Sequence, residues 1–330
     1  MRYNSGTKQA HTQMKKIRVL LVKPRGFCAG VARAVEAVDS LLEHVPSHVY
    51  ALHEIVHNRT LVADFERRGV IFVSSVSSIP RGAAAVFSAH GVSPAARLEA
   101  ARRELRVLDC TCPLVAKVHA EARRYEESGH RIVLLGHEGH DEVEGVLGEA
   151  PGRITLVSTP EQASNLRFGP GEKVAYLVQT TWTLDEARSI VDILRRRAPQ
   201  IEGPAKNDIC YATQNRQNAL RAVAREADVV LVAGSANSCN SSNLAAVARA
   251  EGSVSYLLDD AGHLDSSWFD SAATVAISSG ASVPETVVSG IVAWLHARFS
   301  VTVEERVMAM ESVYFTACNA CLKPVVEPRK

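Results

Sequence analysis

Lys23-Pro24-Arg25-Gly26-Phe27-Cys28-Ala29-Gly30-Val31 stands between two different periodicities. Upstream, Ile17-Arg18-Val19-Leu20-Leu21-Val22 is a short β-branched and leucine run that closes at a proline, the pattern of a buried strand. Downstream, Val31, Val35, Val38, Leu42 and Val45 recur at helical spacing, so a helix starts near Gly30. Cys28 therefore occupies a glycine-flanked turn between the carboxyl end of a strand and a helix. Ligands bind in that crevice of an open α/β sheet, and a helix N-terminus favours a thiolate over a thiol. A buried, inert cysteine fits the stretch equally well, free cysteine being among the most buried residue types. Two further cysteines, Cys112 and Cys210, repeat the placement just before a helix, 84 and then 98 residues along.

Working outward, strand-like and helix-like segments alternate along the whole chain, which predicts α/β layers with largely parallel strands. The recurrence of the cysteines divides the chain into three units. These are residues 17–111 with Cys28, 112–209 with Cys112 and 210–300 with Cys210, followed by a tail over 301–330. The first unit also holds strands at Val70–Val73 and Ala83–Phe87. The second carries the strand Arg131–Gly136 and helices up to Glu127 and over Leu184–Arg197. The third has a helix over Asn215–Ala227, strands at Val229–Val232 and Thr274–Ile277, and a last helix over Glu285–Phe299. In the tail, Val301–Val307 reads as an edge strand, and Cys318-Asn319-Ala320-Cys321 lies in polar surroundings.

Bulk properties narrow the function classes. The 330 residues are 46% hydrophobic and 22% charged with a formal net charge of +1, an ordinary globular composition. That balance leaves no electrostatic footprint for nucleic acid, and no apolar run reaches membrane-spanning length. Residues 1–16 are polar without an apolar core segment, so no secretory signal is read and a cytoplasmic location is expected. Seven cysteines in such a chain point to metal binding, catalysis or free thiols rather than disulfides.

Five polar clusters directly follow strand-like runs: Ser88-Ala89-His90-Gly91, Gly136 through Glu142, Gln179-Thr180-Thr181, Gly234 through Asn243, and Ser278 through Ser282. Each alone is an ordinary solvated loop or helix cap. Placed together at strand carboxyl ends, they would line one cavity with the three cysteines. His53-Glu54-Ile55-Val56-His57 also spells HExxH, a zinc-hydrolase pattern that requires a helix; the strand-like Tyr50-Ala51-Leu52 before it argues against one.

Eight segments in register carry a family resemblance: Pro24 through Val31, His53 through Asn58, Phe87 through Val92, Thr111 through Val115, Gly136 through Gly145, Gln179 through Thr181, Asp208 through Thr213, and Gly280 through Ser282. In these the chain resembles the LytB/IspH family of 4-hydroxy-3-methylbut-2-enyl diphosphate reductases. The resemblance implies three similar α/β lobes in a pseudo-threefold arrangement around a central iron–sulfur cluster. It also implies reductive loss of an allylic hydroxyl to give isopentenyl and dimethylallyl diphosphates, the last step of the non-mevalonate (MEP) pathway. The implied ligands of a 4Fe-4S cluster with one open iron are Cys28, Cys112 and Cys210. The implied diphosphate contacts are His57, His90, His140, Ser238, Cys239, Asn240 and Ser282, with Thr180 beside the substrate hydroxyl. Glu142 carries over as the proton-delivery group, with Thr180 and His140 as its catalytic neighbours.

The chain departs from the family at Cys239, where serine is usual, and at Cys110; the Cys318–Cys321 pair lies outside the family pattern. No GxGxxG turn follows the first strand, so a ferredoxin or flavodoxin-type donor is expected rather than direct binding of NAD(P)H. An iron–sulfur sensor on the same scaffold would need only the cysteines, whereas Glu142, Thr180 and the diphosphate residues are all present.

Overall fold

The computed structural model describes residues 14–45, 48–318 and 323–324; the polar N-terminal residues and Cys321 therefore fall, wholly or largely, outside the described residues. The chain begins with strand β1 (Lys16–Lys23), helix α1 (Ala29–His44), β2 (Val49–Leu52), α2 (Arg59–Arg67), β3 (Val70–Val73), β4 (Ala84–Phe87), α3 (Pro94–Arg102) and β5 (Arg106–Asp109). It continues through α4 (Pro113–Glu127), β6 (Arg131–Leu135), α5 (Asp141–Leu147), β7 (Ile154–Val157), α6 (Pro160–Asn165), β8 (Val174–Val178) and α7 (Leu184–Arg197). The last part holds α8 (Tyr211–Ala224), β9 (Val229–Ala233), α9 (Cys239–Ala250), β10 (Val254–Leu258), β11 (Thr274–Ser279), α10 (Glu285–His296), β12 (Ser300–Val307) and the short β13 (Lys323–Pro324).

These strands form three sheets, in the orders β10-β9-β11-β1-β12, β13-β5-β4-β2-β3 and β7-β6-β8. Every pairing is parallel except that of β13 with β5. The mixed α/β class with parallel sheets thus matches the expectation, and β12 is an edge strand as read. It carries the charged run Glu304-Glu305-Arg306, which discourages further strand pairing at this edge.

The division into units is corrected at its first strand. β1, expected to open a unit over 17–111, pairs instead with β11 and β12. The cause lies in its two apolar faces: Ile17 and Val19 pack into one core cluster, Leu20 and Val22 into another, both built from the strands and helices of residues 219–295. A strand buried on both faces belongs in the middle of a parallel sheet. α1, by contrast, buries Ala34, Val35, Val38 and Leu41 against Val49, Val86 and Leu108 of the second sheet. The chain therefore changes sheets at Cys28. It does so again at Cys112, because α4 packs Val118, Ala122 and Tyr125 onto β6 and β8. A third change falls at Cys210, after which α8 packs Leu220 and Val223 onto β1 and β9. The tail range 301–330 likewise contributes β12 to the first sheet rather than standing apart.

Candidate active site

All three cysteines are helix N-cap residues: Cys28 for α1, Cys112 for α4 and Cys210 for α8. Each has extended backbone angles, so its side chain turns away from the helix axis while its carbonyl starts the helical ladder. Each backbone N–H is tied to a loop that follows a strand. Cys28 N donates to Ala281 O at 3.1 Å, Cys112 N to Ala89 O at 3.0 Å and Cys210 N to Thr180 O at 3.0 Å. The Cys210 thiol also accepts from Thr213 N at 3.3 Å. Gly30 is required here by close approach, since a Cβ on it would lie 2.7 Å from Cys112 Sγ and 3.9 Å from Cys28 Sγ. Burial pushes the Cys112 thiol up to about 12 and the Cys210 thiol up to about 11.

The three thiols border one cavity. The other walls come from loops at strand carboxyl ends: His57 after β2, His90 after β4, His140 and Glu142 after β6, Thr180 after β8, Ser238, Cys239 and Asn240 after β9, and Ser282 after β11. Every residue that the resemblance marked as a cluster ligand, diphosphate contact or catalytic group thus lines this one place. The HExxH segment is not helical; α2 begins only at Arg59, and His53 has φ +59, so two histidines on one helical face are not formed.

The imidazoles of His57 and His90 stack with ring centroids 4.1 Å apart, and His140 meets both edge-on. Burial, reinforced by His57 and His140, holds His90 well below its ordinary value, and burial holds His140 down at about 3. His140 caps α5, its Nδ1 accepting from Glu142 N at 3.1 Å, which leaves the proton of the neutral ring on Nε2. Ser282 Oγ donates to the carbonyl of His57 at 2.9 Å, joining two walls. Asn240 is buried with neither amide atom hydrogen-bonded, and His90 Nδ1 is also without a partner. Buried polar atoms left in this state mark a place where a polar ligand completes the set.

Glu142 is 2% exposed. Its Oε1 accepts from Thr180 N at 2.7 Å and its Oε2 from Thr180 Oγ1 at 2.9 Å. Burial pushes its carboxyl up to about 7 against the two Thr180 hydrogen bonds, which pull it down. Nearby Asp208 is likewise pushed up to about 7 by burial, against Lys117 Nζ at 2.7 Å. The site thus joins soft sulfur donors, neutral hydrogen-bonding groups and a carboxyl that holds a proton near neutrality.

The family model described as LytB protein matches residues 19–296. The chain belongs to the LytB family. Among curated relatives, the 4-hydroxy-3-methylbut-2-enyl diphosphate reductase of Acidothermus cellulolyticus is 49% identical over 303 residues, covering 92% of this chain and 89% of that one. The reductase of the same name from Corynebacterium diphtheriae is 49% identical over 313 residues, 94% of each chain. The solved E-1-hydroxy-2-methyl-but-2-enyl-4-diphosphate reductase of Plasmodium falciparum superposes with a TM-score of 0.90 at 34% identity, covering 93% of this chain and 97% of that one.

Three residues at or beside the site were given no role by the LytB resemblance. Phe315 lines the cavity from the tail; the apolar Val313-Tyr314-Phe315 in a polar segment was its one signal. Asp141 approaches His57 and His90, each at 4.0 Å. Arg216, fully buried, donates to Gly26 O at 2.8 Å and pairs with Glu311 at 3.0 Å, and nothing in its helical surroundings announced that role.

Proposed function

We propose that this chain catalyses the reductive dehydroxylation of (E)-4-hydroxy-3-methylbut-2-enyl diphosphate. Two electrons and two protons convert it to isopentenyl or dimethylallyl diphosphate and water. The observation that carries the reading is the meeting of three N-cap cysteines from three chain crossovers with the Glu142–Thr180 pair in one cavity. In this reading the three sheets are lobes in a pseudo-threefold arrangement, residues 17–111, 112–209 and 210–300 contributing one cysteine each, with β1 lent to the third.

Cys28, Cys112 and Cys210 fit a 4Fe-4S cluster by chemistry: three sulfur donors face one space, and the Cys112 and Cys210 thiols, their proton affinity raised by burial, are stable as thiolates only when a metal takes the proton's place. When bound, such a cluster with three protein ligands supplies the electrons and, at the iron left open, Lewis acidity. A ferredoxin or flavodoxin-type protein in the cytoplasm is the donor in this account.

The remaining work falls to the chain's own side chains. His57, His90, His140, Ser238, Asn240 and Ser282 hold the diphosphate. The neutral His90 and His140 rings and the Asn240 amide donate to phosphate oxygens, and the N-terminus of α9 adds its field. Cys239 takes part through its backbone, a thiol being a weak donor. Glu142 stores the proton needed at the departing oxygen, because hydroxide is a poor leaving group. Thr180 Oγ1, in hydrogen-bond contact with Glu142, passes that proton into the cavity and recovers it from the carboxyl.

The test is anaerobic turnover with reduced methyl viologen. Oxidation of the viologen that depends on the allylic diphosphate, with both isoprenoid diphosphates as products, is the expected result. A cluster-loaded protein that binds the substrate and releases neither product would refute the assignment.

A further inference from the structure

Beyond β12 the chain crosses the molecule as a strap. Met308 N donates to Lys23 O at 3.0 Å, and the Glu311 carboxylate accepts from Arg216 at 3.0 Å and Asn215 at 3.2 Å. Phe315 lines the cavity, and Arg33 Nε donates to Thr316 O at 2.9 Å. The strap reaches the carboxyl end of β5 at Cys318, whose Sγ lies 3.7 Å from Asp109 O. Cys318 packs against the apolar cluster under α1 that contains the fully buried Cys110, the residue next to that Asp109 carbonyl. Arg33 clamps both segments, its Nη1 donating to Cys110 O at 3.4 Å and Thr111 O at 3.0 Å. Two cysteines far apart in sequence are therefore brought to one apolar cluster, one sealed from solvent and one half-buried, with a common arginine fixing the backbones that carry them.

We propose that Cys110 and Cys318 form a reversible disulfide that ties the C-terminal strap across the mouth of the cavity. The oxidant is a low-molecular-weight disulfide. The Cys318 thiolate attacks one of its sulfurs, forming a mixed disulfide and expelling one small thiolate. Cys110 attacks the Cys318 sulfur, its proton passing to the second small thiolate as that thiolate is expelled and the protein disulfide closes. Two electrons pass from the protein thiols to the oxidant, and a small dithiol reverses both steps. Cys318 is placed to react first because it is only half-buried and lies beside the Arg33 guanidinium, which favours its thiolate. Cys110, sealed beneath it, meets no external reagent and serves only to resolve. The cavity thiol Cys112 faces the other way, into the pocket, and takes no part. With the bond closed, Phe315 sits three residues from a covalent anchor, so the segment flanking the cavity no longer lifts freely.

The experiment treats anaerobically purified, cluster-loaded protein with oxidised glutathione, alkylates the remaining thiols and maps the peptides by mass spectrometry. The expected product is one Cys110–Cys318 link, placed at Cys110 rather than Cys112 by fragmentation, with the visible spectrum unchanged. kcat/KM should fall about five-fold or more on oxidation and return with dithiothreitol. Cys318→Ser should keep basal activity and lose both the link and the sensitivity, while Cys321→Ser should keep both. A Cys318–Cys321 link, a Cys318 that stays glutathionylated, no link at large excess of oxidant, or undiminished sensitivity in Cys318→Ser would each overturn the proposal.

Discussion

In the proposed reaction Glu142 sets the acid–base behaviour of the cavity. Its folded-state proton affinity, raised to about 7 by burial, keeps a carboxyl protonated where an exposed glutamate is ionised. Turnover that depends on this proton falls as pH rises through about 7, and the falling limb should vanish in Glu142→Gln. Glutamine fits the same two contacts, accepting from Thr180 N and donating to Thr180 Oγ1, so that variant should fold and keep its chromophore. Its rate should drop by roughly 10²–10⁴, measured as single-turnover product formation. A stability effect of definite sign accompanies this. The unfolded glutamate releases its proton near 4.5 and the folded one near 7, so between them the unfolded state binds fewer protons and wild-type stability declines with rising pH. The penalty is of order 3 kcal/mol once pH exceeds 7. The thermal midpoint of Glu142→Gln relative to wild type should therefore rise from pH 5 to pH 8; a flat difference would show that Glu142 is not buried as a neutral acid.

At the scale of elements, the cysteines double as helix caps, and this separates folding from ligation. Serine caps helices better than cysteine, so Cys28→Ser, Cys112→Ser and Cys210→Ser should each fold with near-native circular dichroism yet lose the chromophore. Gly30→Ala tests the close approach of α1: its Cβ would meet Cys112 Sγ at 2.7 Å, so the sulfur must shift. Iron content should fall at least several-fold while far-UV dichroism is retained. Much of this level was legible beforehand. The 3.6-residue spacing after Gly30 marks α1, whose Val35 and Val38 are indeed buried, because amphipathic periodicity is a local property. α8 begins at Tyr211, earlier than the expected Asn215, because Cys210 rather than an oxygen side chain accepts the capping bond from Thr213 N. Ile154–Val157 passed unread as a strand; four residues on a sheet edge leave little pattern to find.

At the scale of the whole molecule, sequence pattern identified β1 as a strand but not its partners, since an apolar run states that both faces are buried and not against what. The cavity was foreseen better than the sheets, because parallel sheets place all their functional loops at one edge and each loop follows its strand directly in sequence. Phe315 and the strap were not foreseen, their contacts being made across the full length of the chain. The arrangement would make the proposed cluster a junction: the chain changes sheet at each of Cys28, Cys112 and Cys210, so a cluster held by them would tie three sheets together. Loss of the cluster should accordingly lower the thermal midpoint by several degrees, measured on the same preparation before and after anaerobic chelation. The most direct measurement of the central claim is iron and acid-labile sulfide per chain in anaerobically purified protein, wild type beside all seven single cysteine-to-serine variants. Roughly four of each are expected in wild type and in the variants at Cys110, Cys239, Cys318 and Cys321, with little or none in those at Cys28, Cys112 and Cys210. Zinc in place of iron, or a full cluster in Cys112→Ser, would contradict the account.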